Sequence, residues 1–176
     1  MKKLKIETGL ENKVLRTKSK KVEKIDKSLL KLLEKMKQTM IKNNGIGLAA
    51  PQIGNNIRAF VMMFDTENKE GFEVEKRSEV KTDQGTKKKE KKFKLFSFIN
   101  PEILEFSDEK NVFQEGCLSL PEKFADIERP AEILLKFSDE KGSDQKLKLK
   151  GLNARIAQHE YDHLEGVLFL DLIKMS

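Results

Sequence analysis

Two histidines near the end of the sequence are spaced as metal ligands. The stretch HEYDH places His159 and His163 four positions apart, with Glu160 between them. On an α-helix, residues four apart differ by about 40° in rotation, so both imidazoles can reach one ion. Glu160 lies about 100° from His159, which suits a general base near a metal-bound water better than a third ligand. The pattern therefore indicates a metal-dependent hydrolase.

A catalytic zinc or iron site usually has three protein ligands, so the pattern requires a third one. The sequence contains no other histidine. The extended peptidase pattern H-E-x-x-H-x-x-G-x-x-H is matched as far as Gly166, but its last position is Phe169, which cannot bind a metal. Glu165 lies about 200° round the helix from His163. Asp171 remains a candidate within an apolar tail, but we expect the third ligand upstream.

The upstream candidate is Cys117, in the stretch EGCLSLP. A thiolate binds zinc at about 2.3 Å and also binds ferrous iron. Gly116 allows the backbone to approach closely, and Pro121 helps to fix the exit of the chain. A lone cysteine is more commonly a small buried hydrophobic residue, so spacing alone leaves both interpretations open. As the only cysteine, Cys117 also excludes an intramolecular disulfide.

The N-terminal half contains the first elements that position these residues. An amphipathic helix is predicted over 26–44, with Asp26 as N-cap. The stretch GIGLAAPQIG, residues 45–54, is too rich in glycine for a long helix or strand. A buried strand is predicted at 57–64. The apolar face of the helix comprises Leu29, Leu33, Met36 and Met40.

The C-terminal half is predicted to contain short strands followed by the histidine helix. A strand at 95–100 should end at Pro101, and further strand signals follow at EILEFS, NVFQEG, EILLKFS and KLKLK. The histidine helix spans 151–166, and the apolar tail after it should pack on the body. The predicted fold class is α+β, with short, mainly antiparallel sheets packed around a C-terminal metal-binding helix and an N-terminal amphipathic helix.

Length and composition predict a single cytoplasmic domain, residues 1–176. The chain has a net charge of +6, no apolar run long enough to span a membrane and no secretory signal. A charged insertion at about 66–94 contains KKKEKK, which has two interpretations. Its lysines could bind ribosomal RNA phosphates weakly, or the segment could be a solvated hairpin, which is favoured because no aromatic-rich base-stacking pattern accompanies the lysines. Nothing in the sequence indicates binding to DNA or to a membrane.

Three motifs in this order, GIGLAAPQIG, EGCLSLP and QHEYDHLEG, resemble the signature motifs of the peptide deformylase family. The resemblance extends over nearly the whole chain outside 66–94. It implies that Cys117, His159 and His163 bind one divalent metal ion. Ferrous iron is the ion implied in the cell, and zinc, nickel or cobalt can replace it.

The resemblance also implies an activity, the removal of the formyl group from the formyl-methionine of new polypeptides. A metal lowers the pKa of its bound water. Glu160 would accept the water proton and later deliver it to the leaving amine. The Gln52 side-chain amide and the Leu118 backbone N–H would donate hydrogen bonds to the developing oxyanion. Judged without the motif, Gln52 is a turn residue that bonds its own backbone.

The glycines of these motifs have two interpretations. Gly45 and Gly47 are either hinges after a helix or positions where an extended peptide approaches the backbone. By resemblance, backbone groups near Ile46, Gly47 and Gly116 hold the substrate main chain. The methionine side chain would enter an apolar pocket, although each candidate could equally be ordinary core. The pocket candidates are Ile46, Leu152 and Ile156.

Two other kinds of protein remain compatible with the residues. A metallopeptidase would require a third ligand other than Cys117, and a silent binding module would hold a purely structural metal. A structural site needs neither Glu160 nor Gln52, which argues against the module. Metal-binding histidines usually donate their second N–H to an acceptor, and Gln158 or Asp162 could organise these surroundings. Asp162 is expected either to pair with Arg129 or to face solvent.

Overall fold

The structure, a computed structural model, describes residues 4–65 and 93–173. These residues form two α-helices and seven β-strands, with short 3-10 helices at Ala50–Ile53 and Phe169–Leu172. The helices are α1 (Lys27–Lys42) and α2 (Gly151–Glu165). The strands are β1 (Gly47–Ala49), β2 (Ala59–Asp65), β3 (Phe93–Phe106), β4 (Lys110–Cys117), β5 (Leu120–Pro130), β6 (Glu132–Ser138) and β7 (Asp144–Lys150). The predicted α+β fold class, with antiparallel sheets and two helices, is confirmed.

Helix α1 forms where the apolar spacing and the cap signal predict it. The Asp26 side chain accepts hydrogen bonds from the backbone N–H groups of Ser28 and Leu29, at 2.9 and 3.0 Å, which satisfies donors that the first turn leaves open. The helix ends at Lys42, two residues before the predicted end, and Asn43 is its C-cap. The predicted apolar face is buried, namely Leu29, Leu33, Met36 and Met40.

A five-stranded antiparallel sheet lies between the two helices, with the order β1-β2-β3-β6-β7. Alternation along β2 supplies both faces of this sheet, because successive side chains of a strand point to opposite sides. Phe60 and Met62 pack in one core cluster with residues of α2. Ala59 and Val61 pack in another cluster with residues of α1. The buried strand predicted at 57–64 is therefore confirmed, and it supports α2 from one side.

Strand β3 does not end at Pro101, and that prediction is wrong. The strand is 14 residues long and pairs with β2 from Phe93 to Ile99 and with β6 at Ile99 and again from Glu102 to Phe106, with the proline between Ile99 and Glu102. The register shifts between these two residues, and Asn100 adopts a left-handed conformation with φ 50°. Proline is tolerated at such an irregularity because no ladder hydrogen bond needs its missing N–H.

Strands β4 and β5 form a separate two-stranded sheet. The sequence predicted β4 but not β5, whose charged and apolar residues show no clear alternation. Leu120 and Ile127 of β5 pack against Leu168 and Phe169, which follow α2. The tail therefore packs on the body as predicted, within the described residues.

The insertion predicted at 66–94 lies outside the described residues from 66 to 92. Its last two positions were assigned wrongly, because Phe93 and Lys94 begin β3 and pair with Asp65 and Phe64 of β2. In the described part of the chain, neither helix has the length and apolar character required to cross a membrane.

Candidate metal centre

Helix α2 carries both histidines toward the β4–β5 sheet. His159 and His163 lie on one face of the helix, with their ring centroids 5.1 Å apart. The helix ends at Glu165, and its C-cap is Gly166, which has φ 76°. A Cβ there would lie 2.7 Å from the Arg16 carbonyl oxygen, so glycine both permits the left-handed cap and allows the N-terminal segment to pack closely.

Cys117, the last residue of β4, meets these histidines. Its Sγ lies 3.2 Å from His163 Nε2. One ligand atom from each of Cys117, His159 and His163 lies within 4.8 Å of the other two. Because metal bonds to sulfur and nitrogen are about 2.0–2.3 Å long, a single ion can contact all three atoms with small adjustments. A thiolate and two imidazoles form a donor set suited to zinc or ferrous iron, so these residues fit a divalent transition metal.

The downstream candidates for a third ligand have other roles in the structure. Phe169, at the position of the missing histidine, is buried and stacks on the His159 ring with centroids 6.0 Å apart. The Asp171 carboxylate binds Arg16 at 2.5 Å and accepts the Leu168 N–H at 2.8 Å. Asp171 does not belong to the group of candidate ligands found among residues 4–65 and 93–173.

Glu115 is the acceptor that orients His159, and sequence reasoning missed it. One Glu115 oxygen lies 2.8 Å from His159 Nδ1, which leaves Nε2 for the metal. The carboxylate is buried and also binds Arg129 at 2.7 and 3.0 Å and Arg155 at 2.9 Å. The sequence did contain a signal for this role of Glu115. Glu115 precedes Cys117 by two positions on a strand, so both side chains face the same side of the sheet.

Asp162 and Gln158, which were expected to organise the surroundings of the histidines, each bond a residue of β5. The Asp162 carboxylate accepts a hydrogen bond from Arg129 at 2.6 Å, which confirms that predicted pair. Asp162 thus acts on the centre through Arg129 and Glu115. Gln158 bonds the carbonyl oxygens of Pro130 and Ala154 at 3.0 and 3.1 Å, and so ties α2 to the end of β5.

Electrostatics at the centre favour a bound cation. Burial alone would lower the pKa of His159, but hydrogen bonds with Cys117 and Glu115 raise this pKa to about 10. Burial and the neighbouring charge of His159 lower the pKa of His163 well below its usual value. The anionic groups that attract a proton to His159 also attract a metal ion, so a proton and a metal ion compete for this site.

Glu160 lies beside the centre with its carboxylate against β1. The residue is 4% exposed, and a Cβ on Gly47 would lie 2.2 Å from Glu160 Oε1. Burial raises the pKa of Glu160 to about 7. Among the described residues, Glu160 Oε2 has no hydrogen-bond partner. A buried carboxylate oxygen without a partner is costly, and such groups mark sites that act on a ligand.

Gln52 lies on the 3-10 helix after β1 and is 2% exposed. Its side-chain oxygen accepts the Ala49 N–H at 2.8 Å, as the turn interpretation expects. Its amide nitrogen points to the centre and donates to Cys117 Sγ at 3.4 Å and to Ser119 Oγ at 3.2 Å. The two interpretations are therefore compatible, because the local turn fixes the orientation of the amide.

A cavity of about 600 Å³ opens in front of the centre. The candidate substrate-binding residues all line it, namely Gly45, Ile46, Gly47, Gly116, Leu152 and Ile156, and so do Gln52, Leu118 and Glu160. Their burial differs, since Ile156 is 5% exposed whereas Ile46 and Leu152 are 48% and 43% exposed. Ile156 belongs to the core as well as to the cavity wall, and the other two form part of its rim.

Comparisons with known proteins identify the family of this chain. A family model described as polypeptide deformylase matches residues 5–176. A peptide deformylase from Pseudothermotoga lettingae is 42% identical over 163 residues, covering 93% of this chain and 79% of that protein. The crystal structure of peptide deformylase from Thermotoga maritima has a TM-score of 0.80 at 38% identity, with 99% of each chain covered. A Met-Ala-Ser-bound structure of a class I type b peptide deformylase from Acinetobacter baumannii has a TM-score of 0.78 at 29% identity, covering 98% of this chain and 99% of that one.

Proposed function

The chain belongs to the polypeptide deformylase family, and we propose that it hydrolyses the N-formyl group of formyl-methionine on newly synthesised polypeptides. The reaction adds water across the formyl amide, so that formate leaves and the methionine amine becomes free. The observation that carries this proposal is the buried Glu160 carboxylate beside Cys117, His159 and His163. A purely structural metal site needs no such acid, whereas hydrolysis of an amide needs a group that moves protons.

Cys117, His159 and His163 are the proposed metal ligands. The contact of Glu115 with His159 Nδ1 leaves Nε2 as the His159 atom that would bind the metal. When bound, a divalent ion there would polarise the formyl oxygen and lower the pKa of water. Ferrous iron is the proposed ion in the cell, and the same donors suit zinc, nickel or cobalt.

Glu160 is the proposed proton carrier. Its Oε1 lies close to Gly47, while Oε2 remains without a partner among the described residues. This geometry leaves one oxygen available to accept a proton from the attacking water. The same oxygen can then deliver the proton to the leaving amine.

Gln52 and Leu118 are the proposed oxyanion donors. The Gln52 side-chain oxygen is held by the Ala49 N–H, so its NH₂ group must face the centre. Leu118 directly follows Cys117 and lines the same cavity. Donors that are fixed before the reaction stabilise a developing negative charge without reorganisation.

The substrate main chain is proposed to bind between β1 and β4. Strand β1 is the outermost strand of its sheet in the described residues, and β4 pairs with β5 alone. An extended peptide can add to such an unpaired strand edge. Gly45, Ile46, Gly47 and Gly116 supply backbone at these edges, and the methionine side chain would contact the apolar wall formed by Ile46, Leu152 and Ile156.

New polypeptides carrying formyl-methionine are thus the proposed partners, and the cytoplasm is the proposed location. The whole chain, 1–176, is proposed to be one deformylase domain that carries the charged insertion at 66–94. Weak ribosome association through the lysines of that insertion stays a prediction, because KKKEKK lies outside the described residues.

The proposal is tested by formate release from formyl-Met-Ala-Ser after anaerobic loading of the protein with Fe²⁺. Acetyl-Met-Ala-Ser is a matched control substrate, because it presents the same peptide with a different acyl group. We expect rapid formate release and much slower release of acetate. Cleavage of internal peptide bonds without formate release would instead support a metallopeptidase, and no hydrolysis at all would support a binding module.

A further inference from the structure

Three large apolar side chains that line the cavity are exposed to solvent. We name Phe113, Phe124 and Leu152 the outer wall. Their exposed fractions are 42%, 67% and 43%, and all three line the cavity that contains Cys117 and Glu160. Exposed aromatic surface that continues a binding site is a mark of ligand contact, because it costs free energy in water unless something covers it.

The β4–β5 sheet positions Phe124 by a local irregularity. Cys117 pairs with Leu120, but the preceding residue, Gly116, pairs with Phe124, so three residues of β5 are left without a partner on β4. One of them, Glu122, has φ 63°, a conformation that is unfavourable for a residue with a side chain. Bulges of this kind redirect a side chain next to a functional site.

The ring of Phe124 lies directly across Gly116. A Cβ at Gly116 would be 2.7 Å from Phe124 Cε1 and 2.8 Å from Cδ1, so only glycine leaves room for the ring in this position. The aromatic face is therefore held beside the backbone that is proposed to bind the substrate main chain.

Phe113 is also held in place, on the other face of β4. The Arg155 guanidinium lies 5.1 Å from the centroid of its ring. Arg155 is itself fixed by hydrogen bonds to Glu115 and to the Ile127 carbonyl oxygen, both at 2.9 Å. The rings of Phe113 and Phe124 therefore lie on opposite faces of β4. A peptide that adds to β4 as a strand would present successive side chains to these two rings in turn.

We propose that Phe124 forms a subsite for the side chain that follows the formyl-methionine and selects apolar, above all aromatic, residues there. This inference rests on the proposed function. Successive side chains of an added strand point to opposite faces. If the methionine side chain occupies the face shared by Phe113, Glu115 and Cys117, the next side chain lies on the face of Gly116 and Phe124.

The test compares formyl-Met-Phe-Ser with formyl-Met-Ala-Ser in wild type, Phe124→Ala and Val112→Ala. Val112 is a matched control, because it is 59% exposed on the same sheet and lies outside the cavity lining. We expect wild type and Val112→Ala to prefer the phenylalanine peptide by about fivefold in kcat/KM, which is the gain that one contact between aromatic rings supplies. Most of this gain should appear as a lower KM, because the contact stabilises the bound substrate and the transition state alike. In Phe124→Ala the preference should fall to about one. Since the Phe124 side chain is mostly exposed, this variant should fold normally.

Three outcomes would overturn the subsite. They are an unchanged preference in Phe124→Ala, no preference in wild type, and a preference that appears with formyl-Met-Ala-Phe but not with formyl-Met-Phe-Ser. Calorimetric binding of Met-Phe-Ser and Met-Ala-Ser to the metal-loaded protein separates this inference from the proposed function, because it requires no formate release. Tighter binding of Met-Phe-Ser that depends on Phe124 supports the subsite even in a protein without activity.

Discussion

Substitution of Gly47 by alanine tests whether the position of Glu160 determines the rate. The added Cβ would lie 2.2 Å from Glu160 Oε1 and 2.8 Å from its Cδ, whereas unstrained contacts between such atoms are about 3.5 Å or longer. The Glu160 carboxylate must therefore move by about 1 Å, and a displacement of that size costs about a hundredfold in rate. This loss corresponds to about 2.7 kcal/mol of transition-state stabilisation.

Formate release from formyl-Met-Ala-Ser, followed at several substrate concentrations, would measure this loss. Metal content should stay at the wild-type level, since Cys117, His159 and His163 are untouched. Gly45→Ala is the matched control, because its Cβ would crowd the Leu118 Cδ1 atom at 2.9 Å, the end of a flexible side chain, and would lie at 3.4 Å, close to ordinary contact distance, from Met40 Cγ and the Met40 carbonyl oxygen. We expect a clearly smaller loss in this control. Wild-type kcat in Gly47→Ala with full metal content would refute the role assigned to the Glu160 geometry.

Three further substitutions test the surroundings of the centre. Cys117→Ser should abolish or greatly weaken metal binding, measured by elemental analysis, whereas full retention would mean that the third ligand lies elsewhere. Glu115→Gln removes the carboxylate partner of Arg155 and leaves Arg129 with Asp162 alone, so urea unfolding should show a loss of about 3 kcal/mol, and a wild-type midpoint would contradict the importance of this network. Glu140→Gln tests a charge remote from the centre. Burial tends to raise the pKa of Glu140, but hydrogen bonds from Lys37 and Ser97 lower it overall. Because the pKa of Glu140 is depressed in the folded state, wild type should be more stable than Glu140→Gln above about pH 4.5. The difference should be no more than about 1 kcal/mol for this partly exposed ion pair, and it should vanish as the pH falls through the folded pKa. A difference that grows on acidification would contradict that sign.

The elements predicted correctly are those with local signals. Helix α1 is specified by the Asp26 cap and by apolar residues at helical spacing, and α2 by a similar pattern that ends at Gly166. Strand β3 shows the limit of such signals. Proline normally ends a strand, and only the pairing of β3 with two different neighbours makes an irregularity available where Pro101 fits.

The sequence predicted the three candidate ligands that the fold brings together and the pair of Asp162 with Arg129, but not the contact of Glu115 with His159. Cys117 and His163 are 46 residues apart, and their contact depends on how β4 packs against α2. Only the three motifs taken together indicated that these residues meet. Glu115 and His159 are 44 residues apart, and no periodicity relates them. The ring of Phe124 reaches the cavity through a bulge, whose position depends on the register of β4 and β5.

The central claim is that Glu160 transfers protons beside a metal held by Cys117, His159 and His163. Its most direct test is formate release from formyl-Met-Ala-Ser by iron-loaded wild type and Glu160→Ala, prepared anaerobically and matched for bound iron. We expect rapid release from wild type and a loss of at least about a hundredfold in the variant, as the removal of a general acid–base group causes. Equal rates at equal iron content would contradict the claim.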